Sequence, residues 1–227
     1  MRAFITGVVS IGLLSAGLAG QSYPPPFPRT GAIRLLDNDK VAVWDVTWPK
    51  GHPTLLHRHP YDMTGVYLAP GNRLITEVNG TKRPVSTKAG GIVWQFKGLT
   101  HIEEGTSELS LRAIMIELKK DGSYGTDASS DLRPAFPRET ATQLLENDRV
   151  RVFENTWPLH QMGPRHKHVR DAVVVWTAGG KLRSISRTGA ETVTEVKAFT
   201  VTMGNRGNEH SEEAIEGPPR AYVFELK

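Results

Sequence analysis

The chain has 227 residues, 23% charged and 38% hydrophobic, an ordinary soluble composition with room for one large or two small domains. Its formal charge of +4 contains no run of five or more like charges, which argues against nucleic acid or an anionic membrane as partner. There is no cysteine, so disulfides, thiolate nucleophiles and zinc–thiolate sites are excluded, and any metal must be held by nitrogen and oxygen.

Residues 1–20 read as a secretory signal peptide. Met1-Arg2 is positive, Ala3 to Leu18 is apolar and small, and Gly17-Leu18-Ala19 fits the small-x-small pattern before a cleavage point. The stretch is short and glycine-rich for a membrane span, so no stable span is expected after cleavage, an uncleaved anchor being the alternative. The expected location is secreted or periplasmic. Tyr23 to Pro28 follows as a stiff, proline-rich linker.

The strand signals come next, in short runs of Val, Ile and aromatics separated by Gly, Pro, Asn and Asp. They fall at Val41–Val46, Thr64–Leu68, Ile92–Phe96 and Ala113–Leu118, then at Val150–Phe153, Ala172–Thr177, Thr192–Val196 and Ala221–Leu226. No sustained helical stripe appears, although part of Ser130 to Thr142 reads as a short helix. Many short strands with Gly/Pro turns predict an all-β sandwich, barrel or jelly roll.

The chain repeats itself. Leu35-Leu36-Asp37-Asn38-Asp39-Lys40-Val41 returns as Leu144-Leu145-Glu146-Asn147-Asp148-Arg149-Val150, 109 positions on. Thr47-Trp48-Pro49 returns as Thr156-Trp157-Pro158, and Phe27-Pro28-Arg29 as Phe136-Pro137-Arg138. Such a period is the size of a small domain. Two homologous domains are therefore expected, at 21–118 and 136–227, joined by a solvated linker over 119–135.

Of the 8 histidines, six occupy equivalent positions in the repeats. His57, His59 and His101 correspond to His166, His168 and His210; His52 and His160 stand outside the scheme. Residues two apart on a strand share a face, so each His-x-His can aim two imidazoles at one point, and the later histidine can return on a neighbouring strand. Three converging imidazoles form one face of a coordination sphere and leave the rest open. A structural hydrogen-bonded cluster is the alternative.

These residues carry a resemblance: each half is similar to a cupin. Gly51, His57, His59 and Gly71 fit the first cupin motif, and Gly90, Gly98 and His101 the second, with Phe96 in the proline place. The second half keeps His166, His168, Gly180, Gly207 and His210. The resemblance implies two tandem double-stranded β-helix (jelly-roll) barrels, each with one divalent metal, Fe, Mn, Zn, Ni and Cu not being distinguished. One departure is clear, since the cupin glutamate falls near Thr64 and Val173, which cannot serve. The nearest acids, Asp62 and Asp171, are candidates for an additional ligand or for a carboxylate that orients a histidine.

Glu103-Glu104 and Glu212-Glu213 recur just beyond the third histidine and read as an exposed acidic turn, a role beside the metal or at its entry being the alternative. Candidate pocket walls are Tyr61, Tyr67, Trp94 and Arg112 in the first half, and Trp176, Arg220 and Tyr222 in the second; an inward arginine would suit a carboxylate or enolate. The bicupin resemblance implies a small-molecule substrate and a dioxygenase-like oxidoreductase or decarboxylase. A non-catalytic metal or ligand-binding module and a storage protein are the alternatives. Exposed sheet edges make a homodimer a further expectation.

Overall fold

The computed structural model describes residues 22–227, so the expected signal segment lies outside the described residues. Among the described residues all regular elements are strands. The first half contains β1 (Ala32–Asp37), β2 (Val41–Trp48), β3 (His57–Arg58), β4 (Asp62–Ala69), β5 (Gly71–Glu77), β6 (Lys82–Thr87), β7 (Ile92–Gln95), β8 (Thr100–Gly105) and β9 (Leu111–Leu118). A short strand, β10 (Arg133–Pro134), precedes β11 (Ala141–Glu146), β12 (Val150–Thr156), β13 (His166–Lys167), β14 (Ala172–Ala178), β15 (Gly180–Ser186), β16 (Glu191–Val196), β17 (Val201–Gly204), β18 (Glu209–Glu216) and β19 (Arg220–Leu226). No helix here is long and apolar enough to cross a membrane.

The second half repeats the first strand for strand. Sheet order β1-β2-β9-β4-β7 recurs as β11-β12-β19-β14-β17, and β3-β8-β5-β6 as β13-β18-β15-β16, with β10 added at the edge. Each half is a two-sheet antiparallel barrel of the jelly-roll kind, as the strand pattern and the histidine motifs predict.

Side-chain alternation along β2 shows how the halves are built. Ala42, Trp44, Val46 and Trp48 point into the first barrel and pack with Met63, Tyr67, Ala113 and Met115. Val41 and Val43 point the other way, into a cluster shared by Ile114, Ile116 and Leu118 with Val150, Val152, Val173, Val175 and Phe224 of the second half. Strands buried on both faces lose the apolar/polar alternation, which is why these segments read as continuous apolar runs.

Two local expectations are corrected. Ser130 to Thr142 forms no helix: Pro134 and Pro137 cannot donate to a helical ladder, and Arg133–Pro134 instead pairs in parallel with His166–Lys167. The joining segment is not wholly solvated either. Tyr124 is buried in the core between the barrels; its amide donates to Lys227 O at 2.8 Å and its hydroxyl to Lys40 O at 3.1 Å.

Candidate metal centres

The second sheet of each barrel brings the histidines together. His57 lies opposite His101 in the β3–β8 register, and His166 opposite His210 in β13–β18. Arg58, between the first pair, is exposed, while His57 and His59 are each 3% exposed. Imidazole centroids stand 4.8–5.2 Å apart in the first barrel and again in the second. His52 and His160 lie on the surface, outside both clusters.

Hydrogen bonding sets the tautomers. His57 Nδ1 faces Leu55 O at 2.9 Å, and His166 Nδ1 faces Pro164 O at 3.0 Å. A carbonyl only accepts, so Nδ1 carries the proton and Nε2 keeps its lone pair. Both Nε2 atoms are buried and have no protein partner. His59 Nε2 and His101 Nε2 are 3.3 Å apart, and His168 Nε2 and His210 Nε2 3.0 Å. Two nitrogens about 2.1 Å from one ion at right angles would be about 3.0 Å apart, so the donor sets fit a divalent cation.

Burial also holds the rings neutral. It is the largest cause lowering the pKa of all six imidazoles, reinforced for His59 by His101 and His57; His59 and His168 fall to about 3 and His166 to about 4. Neutral imidazoles with free lone pairs are what a metal requires.

The carboxylates were misplaced by the sequence reading. Glu103 and Glu212 do not sit on an exposed turn; they lie on β8 and β18, two residues past the third histidine and on its face. Glu103 accepts from Trp48 Nε1 at 2.9 Å and Arg73 Nη1 at 2.7 Å. Glu212 accepts from Trp157 Nε1 at 2.8 Å and Arg138 Nη1 at 3.1 Å. Burial alone would raise both carboxyls, but the arginine beside each, helped by the histidines and the indole, outweighs it, and Glu212 is held at about 2. The signal was present: the two-residue spacing that pairs His57 with His59 also pairs His101 with Glu103.

Asp62 and Asp171 stand elsewhere. Asp62 accepts from Lys97 N at 2.9 Å and forms an ion pair with Arg149 at 3.2 Å; Asp171 accepts from Arg206 N at 3.1 Å and pairs with Lys40 at 3.0 Å. Each aspartate thus reaches across to the other barrel rather than to a histidine cluster. Thr64 Oγ1 donates to Val93 O, and Val173 lies in the core between the barrels.

The proposed walls divide as well. Tyr67 and Trp176 face the barrel interiors. Tyr61 shares a cavity with His59. Trp94 and Tyr222 pack into the core between the barrels. Arg112 and Arg220 turn outward to Asp45 and Glu154. The arginines that face the clusters are Arg73 and Arg138, with Arg29 beside the first. A cavity of about 590 Å³ opens onto His57 past Arg29 and His52, and one of about 270 Å³ onto His166 and Glu212 past Arg138.

No protein-family model matches the sequence, and no curated protein matches it. Solved structures do match. AerE from Microcystis aeruginosa superposes with a TM-score of 0.61 at 11% identity, covering 90% of this chain and 97% of its own. Bacillus subtilis oxalate decarboxylase, in a structure concerned with its Mn(II) centres, gives 0.59 at 12% identity, covering 92% and 78%. A cupin 2 conserved barrel domain protein from Leptotrichia buccalis gives 0.52 at 13%, covering 86% and 88%. The fold is therefore that of the cupin barrel, here twice in one chain, with a histidine cluster in each barrel that could hold a metal ion.

Proposed function

We propose that the chain is a secreted or periplasmic metalloprotein that holds one divalent ion per barrel and acts on a small oxyanion or enol, as a dioxygenase-like oxidoreductase or a decarboxylase. The observation that carries this reading is the pair of buried, unpartnered Nε2 atoms, His57 and His166, each facing two further imidazoles. His57, His59 and His101 would hold the first ion, and His166, His168 and His210 the second. A bound divalent ion supplies Lewis acidity, and with iron, oxidative chemistry.

The remaining residues act around it. Arg29 and Arg138 place positive charge at the mouths of the two cavities, where an anion would enter. Trp48 and Trp157 hold Glu103 and Glu212 in position beside the histidines. The imidazoles at the cavity floors are buried, and this lower-dielectric surround strengthens electrostatic interactions with a bound anion. The fold neighbour in B. subtilis, an oxalate decarboxylase with Mn(II) centres, supports a small carboxylate as substrate class.

Metal analysis of protein expressed with residues 1–20 intact should find about one ion per barrel. The double variant H57A/H101A should lose the first ion, and unchanged stoichiometry would overturn the assignment. Oxygen uptake and product formation are then measured with small carboxylates and diketones, after loading with iron or manganese. Full metal occupancy without turnover would make the protein a binding module instead.

A further inference from the structure

The two clusters differ, and the difference traces to one position. Residue 73 on β5 is arginine, and its counterpart 109 positions on is Leu182 on β15. Arg73 is 5% exposed; it donates to Glu103 Oε1 at 2.7 Å and to the Tyr67 hydroxyl. Trp48 takes the other carboxylate oxygen, Oε2. Both oxygens of Glu103 are therefore committed, and Oε1 stands 3.9 Å from His101 Nε2.

In the second barrel an apolar pair, Trp176 and Leu182, fills the positions of Tyr67 and Arg73. Arg138 and Trp157 both bond the same oxygen, Glu212 Oε2. Oε1 is left over, 3.3 Å from His210 Nε2. Among the described residues His166, His168, His210 and Glu212 form a group of four whose ligand atoms lie within 4.8 Å of one another, whereas the first barrel gathers only His57, His59 and His101. His210 is further anchored by Ser184 Oγ, 2.7 Å from its Nδ1, where the first barrel has Ile75.

We infer that the barrels are unequal metal sites: the second binds with three imidazoles and the Glu212 carboxylate, the first with three imidazoles alone, because Arg73 holds Glu103 away. The inference rests on the metal reading above. Net charge does not separate the sites: Arg29 and Arg73 act with Glu103 and Glu77 around the first cluster, and Arg138 with Glu212 around the second, so the difference lies in the Glu212 oxygen left free to bind. The second site therefore binds more tightly, and position 73 sets the difference.

The test isolates each site, using H166A/H168A to keep the first and H57A/H59A to keep the second, with folding checked by circular dichroism. Zn(II) and then Mn(II) are titrated against a competing chelator. The second-site protein should bind tighter by about tenfold or more, the range expected when a group fixed at a metal site is lost. Arg73→Leu should raise first-site affinity toward that of the second. Glu212→Gln should weaken the second site about tenfold, while Glu103→Gln changes the first by less than about threefold. If Arg73→Leu does not fold, the two glutamine variants carry the test. Equal affinities in the two single-site proteins, or equal sensitivity to the glutamine substitutions, overturn the inference. Failure of either protein to bind any ion overturns the metal assignment itself.

Discussion

Glu103 and Arg73 form a buried ion pair, with side chains 8% and 5% exposed. Removing one member leaves the other charged in the barrel interior, so Glu103→Ala should cost about 3–5 kcal/mol, read from the urea midpoint. Glu103→Gln, whose single carbonyl oxygen can still accept from Trp48 or Arg73, should cost less. The imidazoles make stability depend on pH. Unfolded, they take up protons near pH 6.5; folded without metal, His59 and His168 resist until about 3 and His166 until about 4. Between those values the unfolded chain binds protons that the folded chain refuses. Stability from this source is complete above pH 6.5 and falls as pH drops toward 4. Thermal melts of metal-free protein should show that decline, and His168→Leu should flatten it. At this scale the histidines were legible because spacing and repetition coincide. Glu103 read first as part of a turn because Glu104 stands beside it, and Asp62 was placed near the metal because its partner, Arg149, lies 87 positions away on the other barrel.

Strands β2, β4, β9, β12, β14 and β19 were readable from sequence because both their faces are apolar. Strands β8 and β18 were not. Their inward residues are His101, Glu103, His210 and Glu212, so the polar side chains that carry the chemistry hide the strand pattern. Crowding where β8 meets β2 gives a sharper expectation. A Cβ at Gly105 would come within 2.1 Å of Trp48 O, a backbone atom. Gly105→Ala must push β2 away and disturb the Trp48–Glu103 bond. A loss of about 1–3 kcal/mol is expected, with altered tryptophan near-ultraviolet dichroism. An unchanged melting temperature would show that the strands separate freely there.

Across the whole molecule, the apolar cluster between the barrels joins Val41, Val43, Ile114 and Ile116 to Val150, Val152, Val173 and Val175. Separated halves would expose this surface, so residues 22–118 alone should associate or aggregate on gel filtration, whereas the full chain should unfold in one cooperative transition. The crossing ion pairs add registry. Lys40→Glu places like charges beside Asp171 and should lower the melting temperature; adding Asp171→Lys should restore much of it. The repeat was visible in the sequence, but the contact between its copies was not, since pattern alone carries no information about which outer face meets which.

Lys40 meets Asp171 and Arg149 meets Asp62, while position 40 is equivalent to 149 and 62 to 171. The two barrels thus greet each other as mirror obligations: what one offers, it also receives. That is the arrangement of an isologous dimer, now written into one polypeptide. A gene encoding the first barrel twice in tandem would present lysine to aspartate at both crossings, so the same pairing can be rebuilt at the bench from one barrel sequence.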